Sequence, residues 1–354
     1  MNSCKSVASS EAISTSGVAN LSRSVEHSGS DPHLQFYKSA DGYNSIMSWY
    51  ESALESVEVP LTSKYVETRF GRTHMLTCGP EGAPALFLIP GIAGCAPLWR
   101  RQFAALSKHF RVYALDVIGQ PGRSEANTLS LLNDDLVVWL KDVMDELGIE
   151  KAHFGGNSVG GWVAMRMGIE APERVNKVVM LGPTGLTRSK LPVKIWFSKV
   201  LSKKKDADAL EKDLTAKSIA SPSASSKERP ENGSFGTFDR QLARLMALCT
   251  RHYRVDRSLD VYNKKTGKID IRKGLKVLGK FFLSERKSYL KQFNVPGLLI
   301  FGEHEMFFNP NKVADRACKI MPGLESNVVD NAGHGAVYDR PDHVNDLVIE
   351  FLNR

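Results

Sequence analysis

Gly156-Asn157-Ser158-Val159-Gly160 is the stretch of this chain best suited to do chemistry. Gly-x-Ser-x-Gly is the pattern of a nucleophile elbow, a tight strand-to-helix turn that lifts a serine hydroxyl clear of the backbone. The context fits, because Lys151 to Phe154 can form a short strand and Gly161 to Ile169 a helix. The turn forces its serine into an unfavourable conformation, so the flanking positions must be small. Gly156, Gly160 and Gly161 meet that need. A serine hydroxyl is a poor nucleophile until a base removes its proton, and the base is oriented by a carboxylate. With an elbow of this kind the order along the chain is serine, acid, histidine. His334 lies in the small-residue run Asn331-Ala332-Gly333-His334-Gly335, after the strand-like Ser326 to Asp330, and is the expected base. The acid is expected one strand earlier. Val295 to Phe301 is an apolar run suited to a buried parallel strand, and it ends in Gly302-Glu303-His304-Glu305. Glu305 is the leading candidate and Glu303 its competitor. Asp330, only four residues before His334, is a distant third.

Acyl chemistry also needs N–H donors aimed at the charge that develops on the carbonyl oxygen. One is expected from Val159, the residue after the serine. The other is expected from a loop after an earlier central strand. Ala85 to Ile89 reads as that strand and runs into Pro90-Gly91-Ile92-Ala93-Gly94, which makes the Ile92 N–H the second expected donor.

The elements that must hold these residues alternate between strand and helix. Tyr65 to Phe70 and His74 to Cys78 read as two edge strands joined at Gly71-Arg72, and Val112 to Val117 as a buried strand. Asn133 is placed to cap a helix whose first turn carries Asp134 and Asp135, where the helix dipole favours negative charge. Leu136, Trp139, Leu140, Val143 and Leu147 fall on one face of it. Lys177 to Leu181 is the strand after the elbow helix, and Pro341 to Leu352 a last helix. Such alternation predicts a mostly parallel sheet covered on both faces.

With these pieces in order, the chain resembles the α/β-hydrolase fold family, in particular its small carboxylesterase-like and lipase-like members, over about residues 62–354. The matching runs are Leu88-Ile89-Pro90-Gly91, Leu115-Asp116-Val117-Ile118-Gly119, the elbow, Leu299 to Glu305, and Ala332-Gly333-His334. The resemblance implies an α/β fold with an inserted helical lid, and a serine hydrolase that cleaves a carboxylic ester, thioester or lactone through Ser158, His334 and Glu305. It implies no metal and no organic cofactor, and a small-molecule acyl substrate. Four departures stand out. Glutamate replaces the family's usual aspartate as acid, and the oxyanion loop opens Pro90-Gly91 rather than His-Gly. The run Gly119 to Ser124 is one residue longer than the usual Gly-x-Gly-x-Ser. Because the nucleophile is serine, the likeness to epoxide hydrolases and haloalkane dehalogenases, which use aspartate there, is confined to fold. Two rivals stay open: a non-hydrolytic enzyme on the same fold (acyltransferase, lyase or biosynthetic cyclase), and a catalytically silent binding protein.

Whole-chain properties set the frame. The 354 residues suffice for one α/β domain and an insertion, and 42% hydrophobic content supports a sizeable core. No apolar run approaches the roughly 18–20 residues that span a bilayer. The five cysteines are scattered, with neither metal spacing nor a disulfide pattern, so a reducing, cytoplasmic setting is the default. Residues 1–34 hold ten serines and few large apolar residues, and read as a disordered tail. Being Ser-rich and poor in acids, the tail leaves organelle targeting open. Residues 35–61 read as a helical segment, with Leu34 to Val57 in helical pattern. The hydrolase core is assigned to 62–185 and 295–354.

The remaining residues, 186–294, exceed what a simple crossover needs and are expected to form a lid. Helices are expected over Leu191 to Val200, Phe238 to Thr250 and Leu275 to Phe293, with a polar, flexible stretch near 202–236. The insertion carries 26 Lys and Arg against 11 Asp and Glu, a net +15 in a chain of net +8. A solvated helix face is the plainer reading, and attraction to an acidic substrate, anionic lipid or acidic partner the sharper one. Nucleic acid is not expected, since no binding motif accompanies the charge.

Overall fold

Nine strands lie side by side among the described residues: β1 (Ser10–Ala12), β2 (Thr62–Thr68), β3 (Gly71–Cys78), β4 (Ala85–Ile89), β5 (Arg111–Leu115), β6 (Ala152–Asn157), β7 (Val175–Leu181), β8 (Gly297–Gly302) and β9 (Leu324–Val329). Their order is β1-β2-β3-β5-β4-β6-β7-β8-β9. The first three pairings are antiparallel and the rest parallel. The structure is a computed structural model and describes residues 10–12, 34–188, 239–259, 261, 270–282 and 284–354. The expectations for a helix at 191–200 and a flexible stretch near 202–236, and most of that for the tail, lie outside these residues; where the tail is described, at Ser10–Ala12, it is not disordered but pairs antiparallel with β2 through its backbone.

The parallel strands β4 and β8 are apolar on both faces, as the near-continuous Leu86-Phe87-Leu88-Ile89 and Leu298-Leu299-Ile300-Phe301 runs require, and all eight residues are buried. Helices α1 (Ala40–Leu54), α2 (Arg100–Leu106), α3 (Asp135–Glu146) and α4 (Val159–Glu170) precede the insertion. Within it the described helices are α5 (Arg240–His252), α6 (Val255–Ser258), α7 (Ile271–Phe282) and α8 (Lys287–Leu290). The chain closes with α9 (Pro310–Ile320), α10 (Ala336–Asp339) and α11 (Pro341–Asn353). The core cluster runs continuously from Phe36 to Leu352 and includes Trp49, Trp99, Trp139 and Trp162, each almost fully buried.

Several local expectations shift. Neither β2 nor β3 is an edge strand, because β1 pairs with β2 and β5 with β3. Asn133 does not cap α3. Its Oδ1 accepts from Asp135 N at 3.1 Å, a turn that precedes the cap residue Asp134. The N-terminal helix is shorter than its apolar pattern, starting at Ala40 because the Ser39 hydroxyl accepts from Gly42 N at 3.1 Å and closes its N-terminus. The single helix expected over Leu275 to Phe293 divides between α7 and α8.

Candidate active site

Ser158 stands where β6 turns into α4, with φ 55° and ψ −114°, a backbone region few residues other than glycine adopt. The turn is held from outside, since Ser158 N donates to Leu181 O on β7 at 2.8 Å. Its tightness explains the glycine two residues on. A Cβ on Gly160 would lie 2.1 Å from the Ile89 carbonyl oxygen, so α4 could not approach the end of β4. The elbow therefore carries backbone strain offset by sheet packing on both sides.

The loops after β8 and β9 are zipped together. Glu303 N donates to Val329 O at 2.9 Å and His304 N to Ala332 O at 2.8 Å. Gly302 permits this approach, because a Cβ there would sit 2.1 Å from Gly333 O. The two glutamates then part company. Glu305 is turned inward, its side chain 0% exposed. One carboxylate oxygen lies 2.7 Å from His334 Nδ1, and the other accepts from Phe307 N at 3.0 Å. Glu303 is turned outward, 49% exposed, and its Oε2 accepts from Asn331 N at 3.0 Å. Asp330 is exposed.

His334 is 16% exposed and packs edge-on against Phe307, with ring centroids 4.8 Å apart. Burial presses its pKa down, but the charge of Glu305, the hydrogen bond to it and the charge of Asp339 together hold it above the ordinary histidine value. A base with an orienting carboxylate on Nδ1 leaves Nε2 free to face a nucleophile.

Ser158 and His334 both line a cavity of about 150 Å³, and so do Ile92 and Val159. No acceptor within the protein takes the N–H of Ile92 or Val159 among the described residues. Val159 is the first residue of α4, where the helix dipole adds partial positive charge. Leu98, Leu242, Met246, Val255, Phe307 and Phe308 supply the apolar wall, and α5 contributes Leu242, Met246, Cys249 and Thr250. No Lys, Arg, Asp or Glu lines this cavity among the described residues. No group of three or more His, Cys, Asp or Glu side chains is placed to hold a metal ion among them either.

The sequence reading missed two polar assemblies. Ser63, His74 and Asp116 form a second serine–histidine–carboxylate string, with Ser63 Oγ 2.6 Å from His74 Nε2 and His74 Nδ1 2.8 Å from Asp116 Oδ2. Its histidine and carboxylate side chains are fully buried, and none of the three residues lines the 150 Å³ cavity. Asp116 spends its other contacts on structure, accepting from Tyr50 Oη, Ala96 N and Arg123 N. The same chemical groups, with the histidine and carboxylate closed off from solvent, make a fastening between α1, the β2–β3 ribbon and the end of β5. The only sequence signal was the β2–β3 pairing, which sets Ser63 diagonally across from His74. The second assembly is the buried pair of Arg100 and Asp239, which anchors the start of α5 to α2. No local pattern announces a contact 139 residues apart.

The model of the α/β hydrolase fold matches residues 84–341. Carboxylesterase YbfK of Bacillus subtilis (strain 168) is 30% identical over 331 residues, covering 93% of this chain and 97% of that protein. Carboxylesterase nap of the same organism, itself described as uncharacterized, is 31% identical over 327 residues, or 92% of this chain and 97% of that protein. The crystal structure of carboxylesterase CesB (YbfK) from Bacillus subtilis superposes with a TM-score of 0.69 at 28% identity, over 88% of this chain and 98% of that one.

Proposed function

The chain belongs to the α/β-hydrolase fold family, and we propose that it is an ester-hydrolysing enzyme in which Ser158 is the nucleophile, His334 the base and Glu305 the acid. One observation carries this reading: the elbow serine shares an apolar cavity with a histidine whose Nδ1 is held at 2.7 Å by a fully buried carboxylate. Its carboxylesterase relatives at 30% and 31% identity support the reaction class.

In this mechanism Ser158 Oγ attacks the ester carbonyl carbon while His334 Nε2 takes the hydroxyl proton. Glu305 stabilises the imidazolium that forms and keeps the ring in the tautomer with the proton on Nδ1. The carbonyl oxygen, now an oxyanion, accepts from Ile92 N–H and Val159 N–H. Collapse of the tetrahedral intermediate breaks the bond to the alkoxy oxygen, which leaves with the proton from His334. Water, deprotonated by His334, then attacks the acyl-enzyme, and the carboxylic acid departs as Ser158 regains its proton. The strain at Ser158 keeps the hydroxyl on the cavity side of the turn.

The lining, uncharged among the described residues, favours a neutral ester whose apolar part fills the cavity, since burying an unpaired ion is costly. In this reading α5, from the inserted segment, acts as part of a lid and closes one side of the cavity with Leu242, Met246, Cys249 and Thr250. The test compares hydrolysis of p-nitrophenyl butyrate with that of its succinate analogue, by the wild type and by Ser158→Ala. Faster turnover of the neutral ester, abolished in the variant, is the expected result. Undiminished turnover by Ser158→Ala would remove Ser158 from the mechanism.

A further inference from the structure

Ala93 follows the Ile92 donor, and its backbone lies in the left-handed region at φ 56°, where a residue with a Cβ is disfavoured. Two hydrogen bonds from outside the loop hold it there. Gln120 Oε1 accepts from Ala93 N at 2.8 Å. Cys249 Sγ, on α5, donates to the Ala93 carbonyl at 3.7 Å. Gln120 is itself fastened to the insertion. Its Nε2 lies 3.4 Å from Ser258 Oγ on α6, and the carbonyl of Gly119 before it accepts from the buried Tyr253 hydroxyl at 2.6 Å. Gln120 belongs to the lengthened run Gly119 to Ser124, and through it that run lies beside the oxyanion loop.

We propose that Gln120 is a positioning residue: by holding the Ala93 N–H, its side-chain oxygen fixes the oxyanion loop and aims the Ile92 N–H at the developing oxyanion. The inference rests on the assignment of Ile92 and Val159 as oxyanion donors. A loop residue at positive φ relaxes by rotating its peptide plane, and that rotation turns the adjoining Ile92 plane with it. An oxyanion donor stabilises the transition state only while its direction is set beforehand, so a loosened loop costs turnover more than substrate binding. Gln120 touches neither Ser158 nor His334 and acts through Ala93 alone.

The experiment measures kcat and KM for p-nitrophenyl butyrate, and Ki for a trifluoromethyl ketone that forms the oxyanion adduct on the serine. It uses the full chain carrying Gln120→Met, which keeps the volume and removes the acceptor. The expected result is a fall in kcat of about 10- to 100-fold, a rise in Ki by a similar factor, and KM within about threefold of wild type. Ser258→Ala, which leaves the acceptor in place, keeps kcat within about twofold by the same reasoning. A merely structural role would lower thermal stability without moving kcat and Ki together. Where Gln120→Met does not fold, Gln120→Ala is read by the same two constants. Either folded variant with wild-type kcat and Ki overturns the inference, as does a rise in KM alone. Ser158→Ala, measured alongside, separates the two readings. Its inactivity with unaffected Gln120 variants overturns this inference alone, whereas its full activity overturns the esterase reading.

Discussion

Glu305→Gln tests the candidate site where its electrostatics are strongest. The carboxylate has no solvent exposure and lies 2.7 Å from His334 Nδ1, so its charge is little screened by water. During attack on the ester His334 becomes positive, and the negative charge beside it lowers the barrier. For charge centres about 4 Å apart at an effective dielectric of about 20, the attraction is worth about 4 kcal/mol. At about 1.4 kcal/mol per factor of ten, that is about a thousandfold in kcat. The amide removes the charge but can still meet both neighbours. One terminal group can accept from Phe307 N, and the other lies against His334 Nδ1 at nearly the original distance. The fold is therefore expected to survive while the ring loses its preferred tautomer, which adds to the loss. Glu303→Gln is the internal control. Its side chain is 49% exposed, and a glutamine there still accepts from Asn331 N. Its kcat is expected within about threefold of wild type, in line with the small worth of exposed charges. Steady-state kinetics on p-nitrophenyl butyrate, with circular dichroism to confirm folding, reads both. Equal losses, a reversed order, or a folded Glu305→Gln enzyme within tenfold of wild type would remove Glu305 from its role.

Two predictions concern pH. The His334 pKa is raised, burial being outweighed by Glu305 and Asp339, so the neutral base is lost on acidification at a pH above the ordinary histidine value. The acid limb of kcat/KM is expected above about 6.5, and it moves down in Glu305→Gln because the raising charge is gone. A limb at or below 6.5 in the wild type would show that Glu305 does not govern the base. His153, on β6, has the opposite sign. Burial, and next the charge of Lys177, push its pKa down to about 4. Folded and unfolded chains both hold it neutral above about 6.5, so no penalty arises there; as pH falls toward 4 only the unfolded chain takes up the proton, which costs about 3 kcal/mol of stability. Replacing it by phenylalanine is expected to flatten the decline in melting temperature between pH 6.5 and 4. An unchanged decline would mean that His153 is protonated in the folded state.

What could be read from residues alone was what local chemistry dictates. The strand, turn and helix around Ser158 are contiguous in sequence, and the small residues the turn needs are adjacent, so the elbow is visible without a fold. The two glutamates are different. Both follow β8, two residues apart, and which one is buried depends on how the turn after Gly302 packs against the backbone of Gly333. That contact spans 31 positions and leaves no periodic trace. Gln120 was visible only as a member of a lengthened loop; its link to Ala93 exists because β4 and β5 are neighbours in the sheet. The Ser63–His74–Asp116 string is the opposite lesson. Its residue types spell the same chemistry as the candidate site, and the full burial of His74 and Asp116, away from the 150 Å³ cavity, distinguishes fastening from catalysis. Helix ends were the least legible. Ser39 cuts the N-terminal helical pattern short with one capping hydrogen bond, and Asn133 spends its side chain on a turn that moves the cap of α3 one residue on to Asp134, differences too small to mark a sequence.

The decisive measurement is fluorophosphonate labelling of the full chain, followed by peptide mass spectrometry. The phosphonyl group is expected on Ser158 alone. Labelling is expected to vanish in Ser158→Ala and to slow by several powers of ten in His334→Ala, because the hydroxyl reacts only when His334 takes its proton. A protein that hydrolyses p-nitrophenyl butyrate while carrying the label on another residue, or that labels equally fast without His334, would place the chemistry elsewhere.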